Sequence, residues 1–136
     1  MANQLEFEIK RPFESLPSGI SIPFELTQNN LLVSGKAKVD TGSEYCLFQR
    51  ELAEGLEINV ESGVRIPLST LAGSFHAYAH TVTLNTFGII FESTVLFLPN
   101  HGTTRNILGR KGWLNNLHLA LTMDDEMIYL RPADSE

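Results

Sequence analysis

The residues best suited to chemistry lie together in one short segment, at the end of an apolar run. The run ends at Asp40, and two hydroxyl residues and a glycine follow it: Thr41, Gly42 and Ser43. A carboxyl group held at the end of a strand can act as a general acid or base. The same four residue types also form ordinary turns. By itself, the segment leaves open both a catalytic site and a plain junction between a strand and a turn.

A second segment, near the end of the chain, joins apolar residues to a glycine and a cation. It consists of Ile107, Leu108, Gly109 and Arg110. A buried strand that ends at a glycine is common in many folds, so this segment alone also has a purely structural explanation. The segment becomes informative about function when its position after the first segment is taken into account.

Most of the remaining chain is predicted to form short β-strands. The runs are rich in β-branched and aromatic residues and are separated by Gly, Asn and Pro, as is typical of strands and turns. We predict strands over residues 20–26, 31–39, 58–60, 64–68, 75–84, 89–98, 119–122 and 127–130, with turns at 28–30 and 124–125. Helices are predicted only over 49–56 and 110–117. The pattern indicates an all-β barrel or sandwich.

One of the predicted hairpins is long and has small residues near its tip. Residues 66–84 contain Gly73 near their middle, and small side chains flank it. A glycine among small residues between two strand patterns favours a hairpin turn. We place the tip at Leu71, Ala72, Gly73 and Ser74.

The chain thus contains an Asp-Thr-Gly-Ser segment, a long hairpin and an apolar-apolar-Gly-Arg segment, in that order. This order and spacing resemble the retropepsin family of aspartic proteases, which includes retroviral proteases and their cellular and bacterial relatives. The resemblance extends over residues 20–130, and the identity is concentrated in the two short segments. It implies an all-β, closed barrel or sandwich with a flap hairpin and one short C-terminal helix.

The resemblance implies an aspartic endopeptidase that uses neither a cofactor nor a metal. Peptide hydrolysis then requires a base that activates water and an acid that protonates the leaving group. Two carboxyl groups about 3 Å apart share one proton and together supply both functions. Because this chain has a single Asp-Thr-Gly, it provides half of such a site. We expect a homodimer in which each chain contributes one Asp40, acting on peptide or protein substrates.

The resemblance also implies roles for the residues after the aspartate. Thr41 would form a hydrogen bond across the dimer, and Gly42 would let the backbone approach both the acid and the substrate. Ser43 would donate a hydrogen bond to the outer carboxylate oxygen. Glu44 would form an ion pair with Arg110.

Two further parts of the site follow from the same resemblance. The hairpin tip would be a flap that closes over the substrate and excludes water; its residues would be Leu71, Ala72, Gly73 and Ser74. Ile107 and Leu108 would line the core and the wall of the substrate pocket, and Gly109 and Arg110 would support them.

The N-terminal segment differs from that of the retroviral enzymes, which dimerise through interleaved terminal strands. It is longer here, and Leu5, Phe7 and Ile9 alternate with charged residues. This alternation is typical of a strand with one apolar face. The segment could be an interface strand or an added edge strand of the same chain.

Composition and charge restrict the possible partners and location. A length of 136 residues fits a single domain over residues 1–136. The net charge is −6 and the basic residues are scattered, which argues against nucleic acid as a partner. No apolar run reaches the ~18 residues of a membrane span. Cys46 is the only cysteine, so we expect a reducing, cytoplasmic location.

Three alternatives compete with catalysis by an aspartate. His76 and His80 share one face of a predicted strand, but two ligands fall short of a metal site. Cys46 with a histidine could form a thiol hydrolase, although its apolar neighbours suit a buried side chain. The chain could also be a catalytically silent module for dimerisation or peptide binding. A silent descendant would be free to lose the Asp-Thr-Gly, so its presence favours the enzyme.

Overall fold

The computed structural model describes residues 1–103 and 105–133, and these fold almost entirely into β-structure. The strands are β1 (Ile9–Pro12), β2 (Glu14–Leu16), β3 (Gly19–Gln28), β4 (Leu31–Val39), β5 (Leu47–Phe48), β6 (Val64–Thr70), β7 (Gly73–Thr86), β8 (Ile89–Phe97), β9 (Ile107–Leu108), β10 (Leu117–Thr122) and β11 (Met127–Pro132). Helix α1 (Arg50–Gly55) falls within the predicted range of 49–56. The all-β prediction is confirmed.

Eight strands form one sheet, and this sheet closes into a barrel. Their order is β2-β3-β4-β9-β5-β8-β7-β6, and β7 also pairs with β3. The closing contacts are Glu25 opposite Asn85, Leu26 opposite Leu84 and Thr27 opposite Thr83. The ring therefore consists of β3, β4, β9, β5, β8 and β7, while β2 and β6 extend beyond it. Closure leaves fewer unpaired strand edges than an open sheet would have.

Tight turns set the register of the hairpins in this sheet. Asn29 and Asn30 join β3 to β4, and both have positive φ angles, 57° and 60°. Two consecutive left-handed residues form the turn type that matches the twist of paired strands, and asparagine tolerates this conformation well. Phe87 and Gly88 join β7 to β8 in the same way, with φ angles of 54° and 90°.

The strands enclose a core of apolar side chains, which includes a polar contact of Trp113. The largest fully buried side chains are Trp113, Phe24, Phe48, Phe97, Ile22, Leu26, Leu56, Leu84, Leu96, Leu108, Ile128 and Leu130. The indole Nε1–H of Trp113 donates to Thr86 Oγ1 over 3.0 Å. Both side chains are fully buried, so the hydroxyl is the group that satisfies the indole donor.

The N-terminal strand is an edge strand of its own chain. A second sheet has the order β1-β11-β10, with Ile9 opposite Leu130. Further out, the ring of Phe7 lies 6.0 Å from that of Tyr129, centroid to centroid. Phe13, Leu117 and the buried residues of β11 join the same core as the barrel.

Two local predictions were wrong because the backbone turns where the sequence suggested continuity. Residues 58–60 do not form a strand, since Glu57 before them has a positive φ of 56° and a 3-10 helix follows at Val60–Ser62. The helix expected over 110–117 is reduced to a 3-10 turn at Leu114–Asn116. Gly112 has a φ of 97°, which is incompatible with a right-handed helix.

Among the described residues, no helix is long and apolar enough to cross a membrane.

We expect Thr86→Val to lower the free energy of unfolding by about 1–3 kcal/mol, because it leaves the buried indole N–H of Trp113 without an acceptor at almost unchanged volume. Thr81→Val is the matched control, since Thr81 lies exposed on the same strand, and should change stability by less than about 0.5 kcal/mol. Urea unfolding at one fixed protein concentration measures both. Equal effects of the two substitutions would contradict the role given to Thr86.

Candidate active site

Asp40 directly follows β4, where two backbone hydrogen bonds fix its position. Its amide N–H donates to the Leu108 carbonyl over 3.0 Å. The amide of Gly42 donates to Asp40 Oδ1 over 3.0 Å. The side chain is partly buried, whereas Thr41 and Gly42 are exposed. The Gly42 amide therefore holds the carboxylate, and the Leu108 carbonyl holds the backbone, at a solvent-facing turn.

Strand β9, whose Leu108 carbonyl accepts from the Asp40 amide, lies between β4 and β5 in the sheet. It is parallel to β4, with Val39 opposite Leu108, and antiparallel to β5. The loop over residues 40–46 connects β4 to β5 and must cross the end of β9. The Arg110 amide donates to the Ser43 carbonyl over 2.9 Å at this crossing.

Gly109 is what allows the two chain segments to cross so closely. A Cβ at this position would lie 2.2 Å from the Tyr45 carbonyl oxygen and 2.8 Å from that of Ser43. Side-chain carbon atoms do not approach backbone oxygens to such distances, so only glycine fits. At Gly42 the corresponding closest distance is 3.3 Å, to Asp40 Oδ1. The close approach expected at Gly42 is thus tight but less demanding than the one at Gly109.

The hydrogen bond predicted from Ser43 to the Asp40 carboxylate is replaced by another. Ser43 Oγ donates to the Tyr45 carbonyl over 2.7 Å, and not to the carboxylate of Asp40. The donor that reaches the carboxylate is the Gly42 amide. The serine hydroxyl instead stabilises the loop that crosses β9.

The predicted ion pair between Glu44 and Arg110 was also wrong. Glu44 pairs with Lys111, with 2.7 Å between Oε2 and Nζ. The hydrogen bond from Lys111 lowers the pKa of Glu44, and the same bond raises the pKa of Lys111. Arg110 Nε is directed to the Ser43 carbonyl at 3.4 Å. The sequence did not separate the two adjacent cations, because their order along the chain does not say which one faces Glu44.

A cleft of about 420 Å³ lies between the loop after Asp40 and the β6–β7 hairpin. Its lining residues are Gly42, Ser43, Glu44, Tyr45, Leu47, Pro67, Leu68, Ser69, Thr70, Phe75 and Arg110. Sequence reasoning missed the contributions of Tyr45, Leu47 and Phe75. Their apolar character was visible, but their position beside the aspartate loop depends on the barrel.

The predicted hairpin tip lies where the sequence put it, although it does not line this cleft. Residues 71 and 72 form the turn, since Thr70 pairs with Gly73. Leu71 is fully exposed at the tip, and the walls of the cleft are residues 67–70 and Phe75. In this conformation the tip projects past the cleft, and its role as a flap stays a prediction.

The two apolar residues of the second segment form β9, which pairs with the strand that precedes Asp40. Leu108 is fully buried in the core, and Ile107 is half-buried on the same strand. Neither lines the cleft beside the aspartate loop. The expectation that Leu108 lines the core is met. Successive side chains of a strand point to opposite faces, so Ile107 faces away from the core. The part of these two residues in a substrate pocket stays a prediction.

The two histidines considered as metal ligands are both engaged with protein groups. His80 Nε2 lies 2.9 Å from the Val60 carbonyl oxygen. His76 Nδ1 lies 3.3 Å from Arg65 Nη2. Within the part of the chain that the structure describes, no group of three or more His, Cys, Asp or Glu side chains is arranged to hold a metal ion.

Comparison with known proteins adds an independent observation. The sequence profile of a family described as "Aspartyl protease" matches residues 24–111, about two thirds of the chain. The chain belongs to the aspartyl protease family. The matched region contains both short segments and the hairpin between them, which confirms the retropepsin-like prediction. A search of curated proteins found no match.

Cys46, the thiol considered as an alternative nucleophile, is unsuited to catalysis in this aspartyl protease fold. It is fully buried, and burial raises the pKa of its thiol from 9.0 to about 11. A thiol acts as a nucleophile through its thiolate, which burial disfavours. Its Sγ instead accepts a hydrogen bond from the Gly109 amide over 3.4 Å, at the crossing described above.

We expect the Cys46 thiol of the native protein to resist a disulfide reagent at about pH 8, and to react rapidly once urea unfolds the chain. Because the folded pKa is the higher one, the protonated thiol stabilises the fold fully below pH 9.0, and this contribution is lost as the pH rises towards about 11. Absorbance of the released thiolate measures the rate. Native labelling as fast as that of the unfolded chain would contradict the burial argument.

Proposed function

We propose that this aspartyl protease acts as a homodimeric endopeptidase in which Asp40 of each chain contributes one carboxyl group. The observation that carries the proposal is the position of Asp40 at an exposed turn, held by the Leu108 carbonyl and the Gly42 amide. An aspartic protease needs two carboxyl groups that share a proton. The chain has one Asp-Thr-Gly, so a second copy supplies the other.

The reaction follows from the two protonation states of the pair. The ionised carboxylate takes a proton from water as the water oxygen bonds to the peptide carbonyl carbon, and the protonated carboxyl donates its proton to the carbonyl oxygen. As the tetrahedral gem-diol collapses, the C–N bond breaks, one carboxyl donates its proton to the leaving nitrogen, and the other carboxylate takes a proton from a diol hydroxyl. The products are a carboxylic acid and an amine, and the pair again holds one shared proton.

The surroundings of Asp40 support this assignment. The backbone donor from Gly42 occupies Oδ1, which orients the carboxylate without a side chain that would have to be displaced by substrate. The adjacent cleft of about 420 Å³ has apolar walls from Leu47, Leu68 and Phe75, which suit peptide side chains. We also propose that the hairpin tip, exposed at Leu71, closes over a bound peptide in the dimer.

We expect Asp40→Asn to abolish peptidase activity, with a loss of at least about a thousandfold in kcat/KM. The fold should be unchanged, because an asparagine Oδ1 still accepts the hydrogen bond from Gly42. Asp124→Asn, in the exposed turn between β10 and β11, is the matched control and should retain full activity. Cleavage of a fluorogenic peptide library by rigorously purified protein is the assay, and residual wild-type cleavage by the Asp40 variant would refute the assignment.

We expect specific activity to fall on dilution below the dimer dissociation constant, because each site needs two chains. Thr41→Ala should weaken the dimer by about 1–3 kcal/mol, as it removes the hydroxyl proposed to bond across the interface. Thr81→Ala, an exposed threonine of β7, serves as the control. Sedimentation velocity and activity over the same concentrations test both points. Activity that stays constant while the protein is monomeric would rule out the shared site.

A further inference from the structure

Arg110 lies at the edge of the cleft with a fixed backbone and an exposed charged group. Its amide donates to the Ser43 carbonyl over 2.9 Å, and its Nε lies 3.4 Å from the same oxygen. The side chain is exposed. It lines both the cleft of about 420 Å³ and a smaller cavity of about 200 Å³ beside it. The guanidinium is therefore positioned at the boundary between two adjoining spaces.

The charge of Arg110 is not neutralised within the described residues. Glu44, which lines the same two spaces, is bound by Lys111 at 2.7 Å. Among residues 1–103 and 105–133, no carboxylate lies within ion-pairing distance of the Arg110 guanidinium. Together Glu44, Arg110 and Lys111 leave one net positive charge at this edge of the cleft.

The cleft has both apolar and polar walls, and Arg110 lies where it meets the adjoining cavity. Leu47, Leu68 and Phe75 supply apolar surface, while Arg110 and Glu44 also line the adjoining cavity. A peptide bound as an extended strand directs successive side chains to alternate sides. A peptide that fills the cleft with one apolar side chain brings another of its side chains to the guanidinium.

We propose that Arg110 is a specificity-determining residue that binds an acidic side chain of the substrate peptide, near the residue seated in the cleft. This inference rests on the proposed function, because it assumes that the cleft holds substrate. A guanidinium presents two parallel N–H donors to a carboxylate, and such pairs combine charge with geometric selectivity. Glu44 forms its close ion pair with Lys111, so that carboxylate does not occupy the donors of the Arg110 guanidinium.

The test compares matched substrates that differ only in one charge. A fluorogenic library of short peptides, with each position in turn Glu or Gln, identifies the position at which Glu is preferred. At that position we expect kcat/KM for Glu to exceed that for Gln by about fivefold, the size of a partly exposed ion pair. Arg110→Gln should abolish the preference. Arg11→Gln, the same change at an exposed residue of β1, should leave it intact.

A reversal of charge separates recognition from loss of structure. Arg110→Glu should invert the preference, so that a peptide with Lys at the same position is cleaved better than one with Glu. A variant that is merely destabilised loses activity on all peptides equally. The preference should also shrink as salt is raised, because an exposed ion pair is screened.

Binding measured without cleavage distinguishes this inference from the proposed function. Fluorescence anisotropy of labelled Glu and Gln peptides with the Asp40→Asn protein reports recognition alone. Preferential binding of Glu without cleavage by the wild type would support Arg110 and overturn the endopeptidase. Cleavage of the Glu and Gln peptides at equal rates would support the endopeptidase and overturn the role of Arg110. If Arg110→Gln left the preference for Glu unchanged but weakened the dimer, the guanidinium would contact the second copy instead of the substrate. That result would overturn the inference.

Discussion

The passage of β9 between β4 and β5 is the constraint on which the rest of the site depends. The loop over residues 40–46 joins those two strands, so it must cross the chain that emerges from β9. Gly109 allows this crossing, since any Cβ there would lie 2.2 Å from the Tyr45 carbonyl oxygen. The same crossing fixes the amide of Asp40 on the Leu108 carbonyl. The aspartate is therefore held by a backbone arrangement from distant parts of the sequence, and only secondarily by its own turn.

At the same crossing, the two cations beside the cleft differ in their partners: Lys111 is paired with a carboxylate, and Arg110 contacts a backbone carbonyl. Lys111 reaches Glu44 over 2.7 Å, while the Arg110 side chain stays near the Ser43 carbonyl. Arg110 and Lys111 are the two residues after Gly109, and their side chains reach different neighbours. An exposed pair such as Glu44–Lys111 contributes little to stability. Its consequence is electrostatic: among residues 1–103 and 105–133, it leaves Arg110 without a carboxylate partner at a cleft with apolar walls from Leu47, Leu68 and Phe75.

Several elements were predictable because their signals are local. Residues 31–39 alternate and follow two asparagines, and they form β4 as expected. The hairpin with its tip near Gly73 was visible in the same way. Local signals failed at residues 58–60 and 110–117, where Glu57 and Gly112 adopt left-handed conformations. After Glu57, the alternation of Ile58 and Val60 suggested a strand, but Val60 is buried and its carbonyl oxygen lies 2.9 Å from His80 Nε2. Tertiary contacts outweighed local preference at that point.

The sequence by itself determined the all-β class, the hairpins and the Asp-Thr-Gly turn, because strand periodicity and turn chemistry are properties of neighbouring residues. Only the tertiary structure decided that β7 closes the barrel onto β3 and that β9 runs parallel to β4. It also decided that Lys111 is the partner of Glu44 and that Phe75 faces the aspartate loop. These contacts join residues far apart in the chain, and their geometry depends on how the whole core packs. No local pattern encodes them.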